Sequence, residues 1–383
     1  MGATYCCRVN HRIIATLFLV GCFMDSLRAD VVLPALATNL ICYYDFEHPV
    51  DGNVTNEHDL GLSGTDIHLI NGGSSMRVSD PAYGASRLSL QTQQLNPTTS
   101  GNDDWKAGVY QTNGVASLSA FSSVKGITLM GWVKPTGTNP NLNSDTPATN
   151  DYYNAVGLFG LLAGNSEGHG VRALLEIINV SGNLRLVALG RRIDSGSSLT
   201  LATTNDWQTL LPMNTWTHLA ATFDYDNGTM ALYRNGTPLT ANYTTGGDAW
   251  GVIGGQEPDV TSATSPAGIK IGGSYPQNTQ EFNAFNGRFD DLMFFNKTLS
   301  AVEVAAQYEN FLNAPPIIFA NRLADQITLA WSANSGGFDL EARTNLAVGT
   351  WTMTNPVRVT NGGNISVTMP TSAGQQFFRL KKP

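Results

Sequence analysis

The chain has 383 residues and a formal net charge of −8, and only 14% of its residues are charged, whereas glycine occurs 39 times. With serine, threonine and asparagine at most polar positions, this composition is typical of a turn-rich, all-β protein long enough to bury a large core. The acidic balance argues against nucleic acid as a partner, because phosphate binding needs a lysine and arginine face that the sequence does not show.

Residues 1–29 are predicted to be a signal peptide. Basic residues precede an apolar run over residues 13–24, which is too short to span a bilayer and is typical of a secretory signal. Two ways of processing fit this segment. Cleavage after Ala29, or alternatively after Ala37, gives a freely secreted protein, whereas residues 19–22, L-V-G-C, resemble a bacterial lipobox in which Cys22 is acylated. The predicted location is therefore extracellular, or the cell envelope through a lipid anchor at Cys22.

Only one of the four cysteines, Cys42, lies beyond the predicted signal peptide. The mature chain therefore has no partner for an intramolecular disulfide, and no metal site can be built from cysteines. Cys42 lies in residues 40–44, L-I-C-Y-Y, the predicted first strand, where we expect a buried and inert thiol.

Residues 127–135, I-T-L-M-G-W-V-K-P, predict a second clear strand. Ile127, Leu129 and Val133 fall on one face of it because successive side chains of a strand alternate between its two faces. Residues 136–151, rich in asparagine, proline and threonine, predict a long surface insertion, and residues 246–266 predict another. Loops of this length are either functional or decoration of the surface.

Residues 216–236 predict a β-meander. Alternation over residues 216–223 indicates a strand, and Asp226-Asn227-Gly228 then reverses the chain because asparagine and glycine tolerate positive φ. Residues 229–234 indicate the return strand, and Asn235-Gly236 indicates a second turn.

Residues 269–273 and 285–295 predict two closing strands, and residues 299–304 predict a short helix with Ser300 as N-cap and Glu303 completing a capping box. The strings I-T-x-x-x-W-V-K-P, W-x-H-L-A-x-T-x-D, G-R-F-D-D and the helix that follows, in this order, resemble the laminin-G-like, concanavalin A-like lectin/glucanase family. This resemblance implies a concanavalin A-like antiparallel β-sandwich over residues 38–313 and work on carbohydrate outside the cell.

Residues 314–316, A-P-P, predict a short, stiff linker, because proline cannot donate to a ladder and holds the chain extended. Residues 317–383 contain several short alternating runs separated by glycine-rich turns, which predict a small C-terminal β-sandwich. The string F-D-L-E-A-R-T-N-L in this segment resembles a C-terminal module of secreted proteins from Verrucomicrobia-like bacteria, and that resemblance implies no activity.

The sequence lacks the strand motif with which laminarinase-type enzymes of this scaffold carry their catalytic carboxylates. Asp45 with Glu47, and Asp339 with Glu341, have the i, i+2 spacing that places two carboxylates on one strand face. Asp339 and Glu341 are better explained as a solvated face, and Asp45 resembles a metal ligand. His218 is expected to be a structural histidine in mid-strand. We therefore expect that the protein is not an enzyme.

The family resemblance implies one structural Ca²⁺ that joins the first strand to the last. The corresponding residues here are Asp45 in Y-Y-D-F-E and Asp290 in G-R-F-D-D, with backbone carbonyls and water completing a shell of six to eight oxygens. Asp291 follows Asp290 directly and is expected to point to the opposite side of the strand. The alternative is that these are solvated carboxylates at strand ends.

For contact with sugar, Trp132 and Tyr233 are the predicted residues, and the alternative is that both rings pack inside the protein. The sequence thus predicts a secreted, non-catalytic protein that binds a carbohydrate or a cell-surface glycan. Two alternatives remain open: a structural or adhesive cell-surface protein without a small ligand, and a divergent glycoside hydrolase.

Overall fold

The computed structural model describes residues 31–95, 103–137, 156–163, 171–194, 198–244, 266–273, 284–323, 325–333, 337–354, 356–361, 364–371 and 376–383. The predicted signal peptide, the lipobox and nearly all of the two predicted insertions lie outside these residues. Among the described residues, no helix has both the length and the apolar character needed to cross a membrane. The chain divides into two compact units, a large one of residues 33–80 and 88–308 and a small one that includes residues 81–87 and 309–383.

The large unit is built almost entirely from short antiparallel strands. They are β1 (Leu40–Tyr44), β2 (Pro49–Val50), β3 (Asn53–Glu57), β4 (Ile67–Ile70), β5 (Arg77–Val78), β6 (Ser89–Thr92), β7 (Lys106–Tyr110), β8 (Gly126–Pro135), β9 (Val156–Leu162), β10 (Val171–Val180), β11 (Asn183–Gly190), β12 (Leu199–Asp206), β13 (Thr217–Asp224), β14 (Thr229–Arg234), β15 (Thr237–Pro238), β16 (Ala241–Tyr243), β17 (Gly268–Ile271) and β18 (Gly287–Phe295). The helices among the described residues are α1 (Trp207–Leu210), α2 (Ala301–Asn313) and the 3₁₀ helices Ala37–Asn39, Gly73–Met76 and Ala116–Phe121.

These strands form two sheets, as the sequence predicted. One has the order β15-β14-β13-β8-β18-β6-β5, with β1 also paired to β18, and the other has the order β16-β12-β11-β10-β9-β17-β7-β4-β3-β2. Neighbours such as β10 and β11 follow each other in the chain, whereas β8 lies between β13 and β18. The first and last strands of the unit, β1 and β18, pair with each other in the first sheet.

One hydrophobic core lies between the two sheets. Leu129 and Phe223 enter it from the first sheet and Leu175 from the second. Phe159 contacts both Phe289 and Phe294 edge to face, with ring centroids 6.2 Å apart in each pair. Complete burial of each such side chain stabilises the fold by about 1.5–3 kcal/mol. The strand alternation predicted for the first sheet is therefore confirmed.

The predicted meander is confirmed nearly residue for residue. β13 pairs with β14 through a turn in which Gly228 has φ 69°, and Asn235 and Gly236 have φ 49° and 74°. Gly236 is also needed for space, because a Cβ at that position would lie 3.1 Å from a ring carbon of Tyr308 on α2. The same residues thus set both the turn and the close approach of the helix.

The closing strand β18 contains a bulge that the sequence did not reveal. Its register against β8 shifts between Asp290 and Met293, and Asp291 has φ 48°. The regular alternation expected for Asp290 and Asp291 therefore does not continue through this point. Both carboxylates are fully buried, and Asp291 accepts a hydrogen bond from the hydroxyl of Tyr43.

The predicted helix begins as expected but runs further than expected. The backbone N–H of Ser300 donates to Glu303 Oε2 at 2.8 Å and the Glu303 N–H donates to Ser300 Oγ at 3.3 Å, which is the predicted capping box. The helix α2 then continues to Asn313 instead of ending near residue 304. The reason is that buried positions recur along it, with Val304 and Phe311 each almost wholly inaccessible to solvent.

The small unit contains two further sheets with a core of their own. Its strands are β19 (Phe319–Leu323), β20 (Gln326–Ser332), β21 (Asp339–Arg343), β22 (Thr352–Met353), β23 (Arg358–Asn361), β24 (Asn364–Pro370) and β25 (Phe377–Lys381). The sheet β19-β20-β24-β23 and the sheet β22-β21-β25 enclose Leu329, Trp331, Leu340 and Phe378. This is the small C-terminal β-sandwich that the alternating runs predicted.

Candidate functional site

The two aromatic side chains predicted to contact sugar are buried. Trp132 is 4% exposed and Tyr233 is 6% exposed. The indole of Trp132 packs against the rings of His218 and Tyr308, with centroids 5.3 and 5.7 Å away. The burial of both rings agrees with packing, the alternative stated for these residues, and Tyr308 of the helix α2 covers the ring of Trp132. Neither ring offers an exposed surface for stacking on a sugar.

His218 lies at the centre of this aromatic cluster and is fully buried, as expected for a structural histidine. Burial disfavours the charged imidazolium and lowers the pKa of His218 to about 3. A histidine that remains neutral at all physiological pH values is unsuited to proton transfer near neutral pH. His218 therefore belongs to the packing of the sheet against α2.

Asp45 takes part in a cluster that the sequence did not predict. Within the described residues, Asp45, His48 and Glu57 carry ligand atoms that all lie within 4.8 Å of one another. His48 Nδ1 lies 2.9 Å from Asp45 Oδ1, and the His48 backbone N–H donates to Glu57 Oε1 at 3.1 Å. Asp45 and His48 come from the loop after β1 and Glu57 comes from β3, so their meeting depends on the β2–β3 hairpin.

As a set of three, Asp45, His48 and Glu57 do not fit calcium, which is a separate question from the pair of Asp45 and Asp290. Arg77 pairs with Glu57 and also donates to the Phe46 carbonyl at 2.6 Å and the Asn56 carbonyl at 2.7 Å. Burial, reinforced by the nearby Asp45, raises the pKa of Glu57 to about 8, and Arg77 acts in the opposite direction. Calcium requires six to eight oxygen ligands, whereas this cluster contains an imidazole and already has a bound guanidinium. The positive charge of Arg77 instead offsets the negative charge of this cluster.

The predicted calcium pair, Asp45 and Asp290, consists of two fully buried carboxylates. Asp45 Oδ1 accepts from the Glu47 backbone N–H at 2.9 Å, and Asp290 lies opposite Trp132 in the ladder between β18 and β8. Oxygen donors of the required kind are therefore present at both positions. Calcium binding by this pair stays a prediction.

The two carboxylate pairs considered for catalysis have other roles. Asp45 and Glu47 follow the end of β1, so they are not on one strand, and Glu47 Oε1 accepts from the Leu88 backbone N–H at 3.3 Å.

Asp339 and Glu341 do share a face of β21, but the expectation of a solvated face is wrong for Glu341. It is only 9% exposed because Arg379 covers it in an ion pair at 2.6 Å.

The ten-stranded sheet carries a buried ion pair on the face turned away from the core. Glu176 on β10 and Lys270 on β17 contact each other through their charged groups, and both are almost completely inaccessible to solvent. Gly157 on the intervening strand leaves the space, since a Cβ there would lie 3.2 Å from Lys270 Nζ. The carboxylate of Glu176 is thus committed to Lys270 and is not available as an acid or base.

An open cleft of about 480 Å³ lies at one rim of the large unit. Its walls are Asn39, residues 123–125, the β13–β14 turn at residues 224–227, and residues 296–298, and we name it the hairpin cleft. The turn is fixed in place because the backbone N–H groups of Tyr225 and Asp226 both donate to the Lys125 carbonyl, at 2.9 and 3.2 Å. The cleft was not predicted, since it depends on four segments that are distant in the sequence.

The polar groups of the hairpin cleft are only partly used within the protein. Asn39 Nδ2 donates to Asn296 Oδ1 at 3.1 Å, which leaves Asn39 Oδ1 and Asn296 Nδ2 without a partner among the described residues. Asp224 accepts from the Asn227 backbone and side chain, both at 2.9 Å. The cleft therefore presents an amide oxygen, an amide N–H and further charged groups to solvent.

Besides Asp224, the hairpin cleft is lined by Lys297, which is paired with Glu303, and by Asp226 and Lys125. Their nearest charged atoms, Asp226 Oδ2 and Lys125 Nζ, are 4.0 Å apart, and the Lys125 side chain is 72% exposed. A pair so exposed is screened by water and contributes little to stability. Both groups can therefore exchange this contact for one with a ligand.

The family of the chain is shown by its sequence. The family model described as the concanavalin A-like lectin/glucanases superfamily matches residues 107–305, which is just over half of the chain. The chain belongs to this superfamily. Lectins and glycosidases share the concanavalin A-like fold, so membership shows the fold and leaves the activity open. A search of curated proteins finds no match.

Solved structures similar to this concanavalin A-like chain include the botulinum neurotoxin serotype G binding domain, with 13% identity, a TM-score of 0.44, and coverage of 88% of this chain and 66% of that chain. A Trypanosoma rangeli sialidase has 12% identity, a TM-score of 0.40, and coverage of 71% and 33%. The SAP-like pentraxin of Limulus polyphemus has 17% identity, a TM-score of 0.31, and coverage of 48% and 70%. The chain thus spans about a third of the sialidase's length.

Proposed function

We propose that this protein is a secreted, non-catalytic carbohydrate-binding protein that recognises a glycan in the hairpin cleft. The observation that carries the proposal is the set of uncommitted polar groups in that cleft, namely the Asn39 carbonyl oxygen, the Asn296 amide nitrogen, the Asp226 carboxylate and the Lys125 ammonium. A sugar hydroxyl both donates and accepts hydrogen bonds. A cleft that offers donors and acceptors side by side therefore complements a saccharide better than it complements an apolar or purely ionic ligand.

The size of the cleft supports the same class of ligand. Its volume of about 480 Å³ lies within the range of roughly 300–1,000 Å³ that is usual for small-molecule sites. Typical small-molecule sites are lined mostly by apolar side chains, whereas the described wall of this one is mainly asparagine, aspartate, lysine and threonine. Binding a polar, hydroxyl-rich ligand in an open cleft is expected to be weak and specific for hydroxyl geometry.

The proposal includes that the protein does not hydrolyse the glycan that it binds. Glycoside hydrolysis needs two carboxyl groups on either side of the scissile bond, one of which must carry a proton. In the hairpin cleft both oxygens of Asp224 accept hydrogen bonds from Asn227, so among the described wall residues Asp226, 4.0 Å from Lys125, is the one carboxylate that accepts no hydrogen bond. Glu176 on the other sheet is held by Lys270.

A glycan array probed with the full chain tests this function. We expect binding to a small set of glycans, and we expect those glycans to be recovered intact after prolonged incubation. Asp226→Asn and Asn296→Ala should each weaken binding at least fivefold. Asp51→Asn, which removes the same charge in an exposed turn outside the cleft, and Asn242→Ala on β16 should not. Release of a shorter sugar would indicate a glycoside hydrolase, and no binding to any glycan would favour a structural or adhesive protein.

A further inference from the structure

The small unit has a charge opposite in sign to that of the whole chain. Residues 317–383 contain six lysine and arginine residues and three acidic residues, a formal net charge of +3, whereas the chain carries −8. Two of the three acidic residues, Asp339 and Glu341, lie on β21 and are paired with Arg358 and Arg379. The excess positive charge is therefore not neutralised within the unit.

Three of these basic residues lie along one face of the sheet β22-β21-β25. Leu340 and Ala342 of β21 point into the core of the small unit, so Arg343, two residues from Glu341, lies on the opposite face. Arg379 and Lys381 of β25 belong to the same face, since Arg379 is directly opposite Glu341 and Leu380 points inward. We name Arg343, Arg379 and Lys381 the cationic row.

The spacing of the cationic row suits an extended ligand. Arg343 is level with Phe377 of β25, so the three side chains stand at the levels of residues 377, 379 and 381. At about 3.4 Å per residue, the row extends over roughly 13 Å with about 7 Å between steps. A single small anion cannot contact all three positions, whereas a chain with repeated negative groups can.

Within the cationic row, Arg343 gives the strongest evidence for an external anion. Its guanidinium carbon lies 4.7 Å from the ring centroid of Trp351, and that of Arg379 lies 4.5 Å from the same ring. Stacking on indole orients a guanidinium and leaves its N–H groups to bind at their edges. Arg379 directs its edge to Glu341, whereas Arg343 Nε is buried without a hydrogen-bond partner among the described residues. A buried donor without a partner is unfavourable, and an anion bound at this guanidinium would offset that cost.

We propose that the cationic row binds an acidic polysaccharide, one whose sugars carry sulfate or carboxylate groups. Arg343 receives the anionic group, and Lys381, whose side chain is 57% exposed, receives a second one. Glu341 lies between them, 3.9 Å from Lys381 Nζ, and its negative charge repels the closely spaced phosphates of a nucleic acid. The proposal is independent of the hairpin cleft, which belongs to the other unit.

Affinity electrophoresis of the full chain tests the proposal, with dextran sulfate and polygalacturonate as the two anionic probes and neutral dextran as the polymer control. We expect retardation by at least one anionic probe and none by neutral dextran. Arg343→Gln and Lys381→Gln should each weaken binding about tenfold and lower the salt dependence of the affinity. Arg322→Gln is the matched control, because it removes one positive charge from the exposed strand β19 of the same unit.

Three results of these binding experiments would overturn the proposal. Equal weakening by Arg322→Gln would show a general charge effect and overturn the assignment, as would the absence of binding to both anionic probes. Single-stranded DNA bound as tightly as the better anionic probe would overturn the choice of polysaccharide. Thermal unfolding of each variant separates lost binding from lost folding, and Lys381→Gln, at an exposed position, keeps the test valid if Arg343→Gln unfolds. Variants of the hairpin cleft should leave this binding unchanged.

Discussion

Trp132 packs edge to face against His218, with ring centroids 5.3 Å apart and ring planes at 70°. The two residues are directly opposite each other on β8 and β13, and Tyr308 of α2 contacts both rings. This arrangement covers the sheet face on which a sugar was expected to stack. It explains why an aromatic residue suited to carbohydrate contact serves the packing of the helix here.

The burial of His218 predicts a loss of stability at acidic pH. Its pKa is about 3 in the folded protein and about 6.5 in an unfolded chain, so between these values the unfolded state binds the additional proton. Stability should therefore fall as the pH decreases from 6.5 towards 3, with a contribution of up to about 1.4 kcal/mol per pH unit. Chemical denaturation at several pH values should show a flatter profile for His218→Phe, whereas His58→Gln, at an exposed histidine, should retain the wild-type slope.

The ion pair between Glu176 and Lys270 predicts strong coupling between two substitutions. Lys270→Met leaves a buried, unpaired carboxylate and should reduce the free energy of unfolding by about 3–5 kcal/mol. Adding Glu176→Gln to that variant removes the charge and should restore much of the loss. Urea denaturation of the two single variants and the double variant measures the coupling. Additive losses would show that the two groups do not interact as the structure indicates.

Calcium binding by Asp45 and Asp290 predicts a response to chelator. An ion bound only to the folded state stabilises it by about 2.7 kcal/mol when its concentration is a hundred times Kd. EDTA should then lower the Tm of the wild-type protein, and Asp290→Asn should remove that sensitivity. Elemental analysis before and after chelation is the control. A metal-free protein whose Tm is unaffected by added calcium would rule out the ion.

The sequence was sufficient for most of the fold because the main signals are local. Alternation and the Asp226-Asn227-Gly228 turn defined the β13–β14 hairpin, and Ser300 with Glu303 defined the start of α2. The bulge at Asp291 was missed because an aspartate with positive φ has no distinct pattern in a strand. The length of α2 was underestimated because the family resemblance extends only to residue 304, whereas the buried face of the helix continues to Phe311.

The candidate sites were harder to predict, for a different physical reason. Alternation shows which side chains share a face of a strand, but it does not show whether another element covers that face, as α2 covers Trp132. The cluster of Asp45, His48 and Glu57 depends on how the β2–β3 hairpin folds back on the end of β1, and the hairpin cleft joins segments that are distant in the sequence. Single-sequence reasoning contains no signal for such contacts.

Hydrogen-exchange mass spectrometry of the full chain, with and without the glycan selected on the array, tests the central claim most directly. Glycan in the hairpin cleft should slow amide exchange in residues 224–227 and 296–298, while β9, β10 and β17 of the other sheet exchange as before. Asp226→Asn should reduce this protection at the same glycan concentration, and Asp51→Asn should not. Protection confined to β9, β10 and β17, with the cleft segments unchanged, would contradict the account.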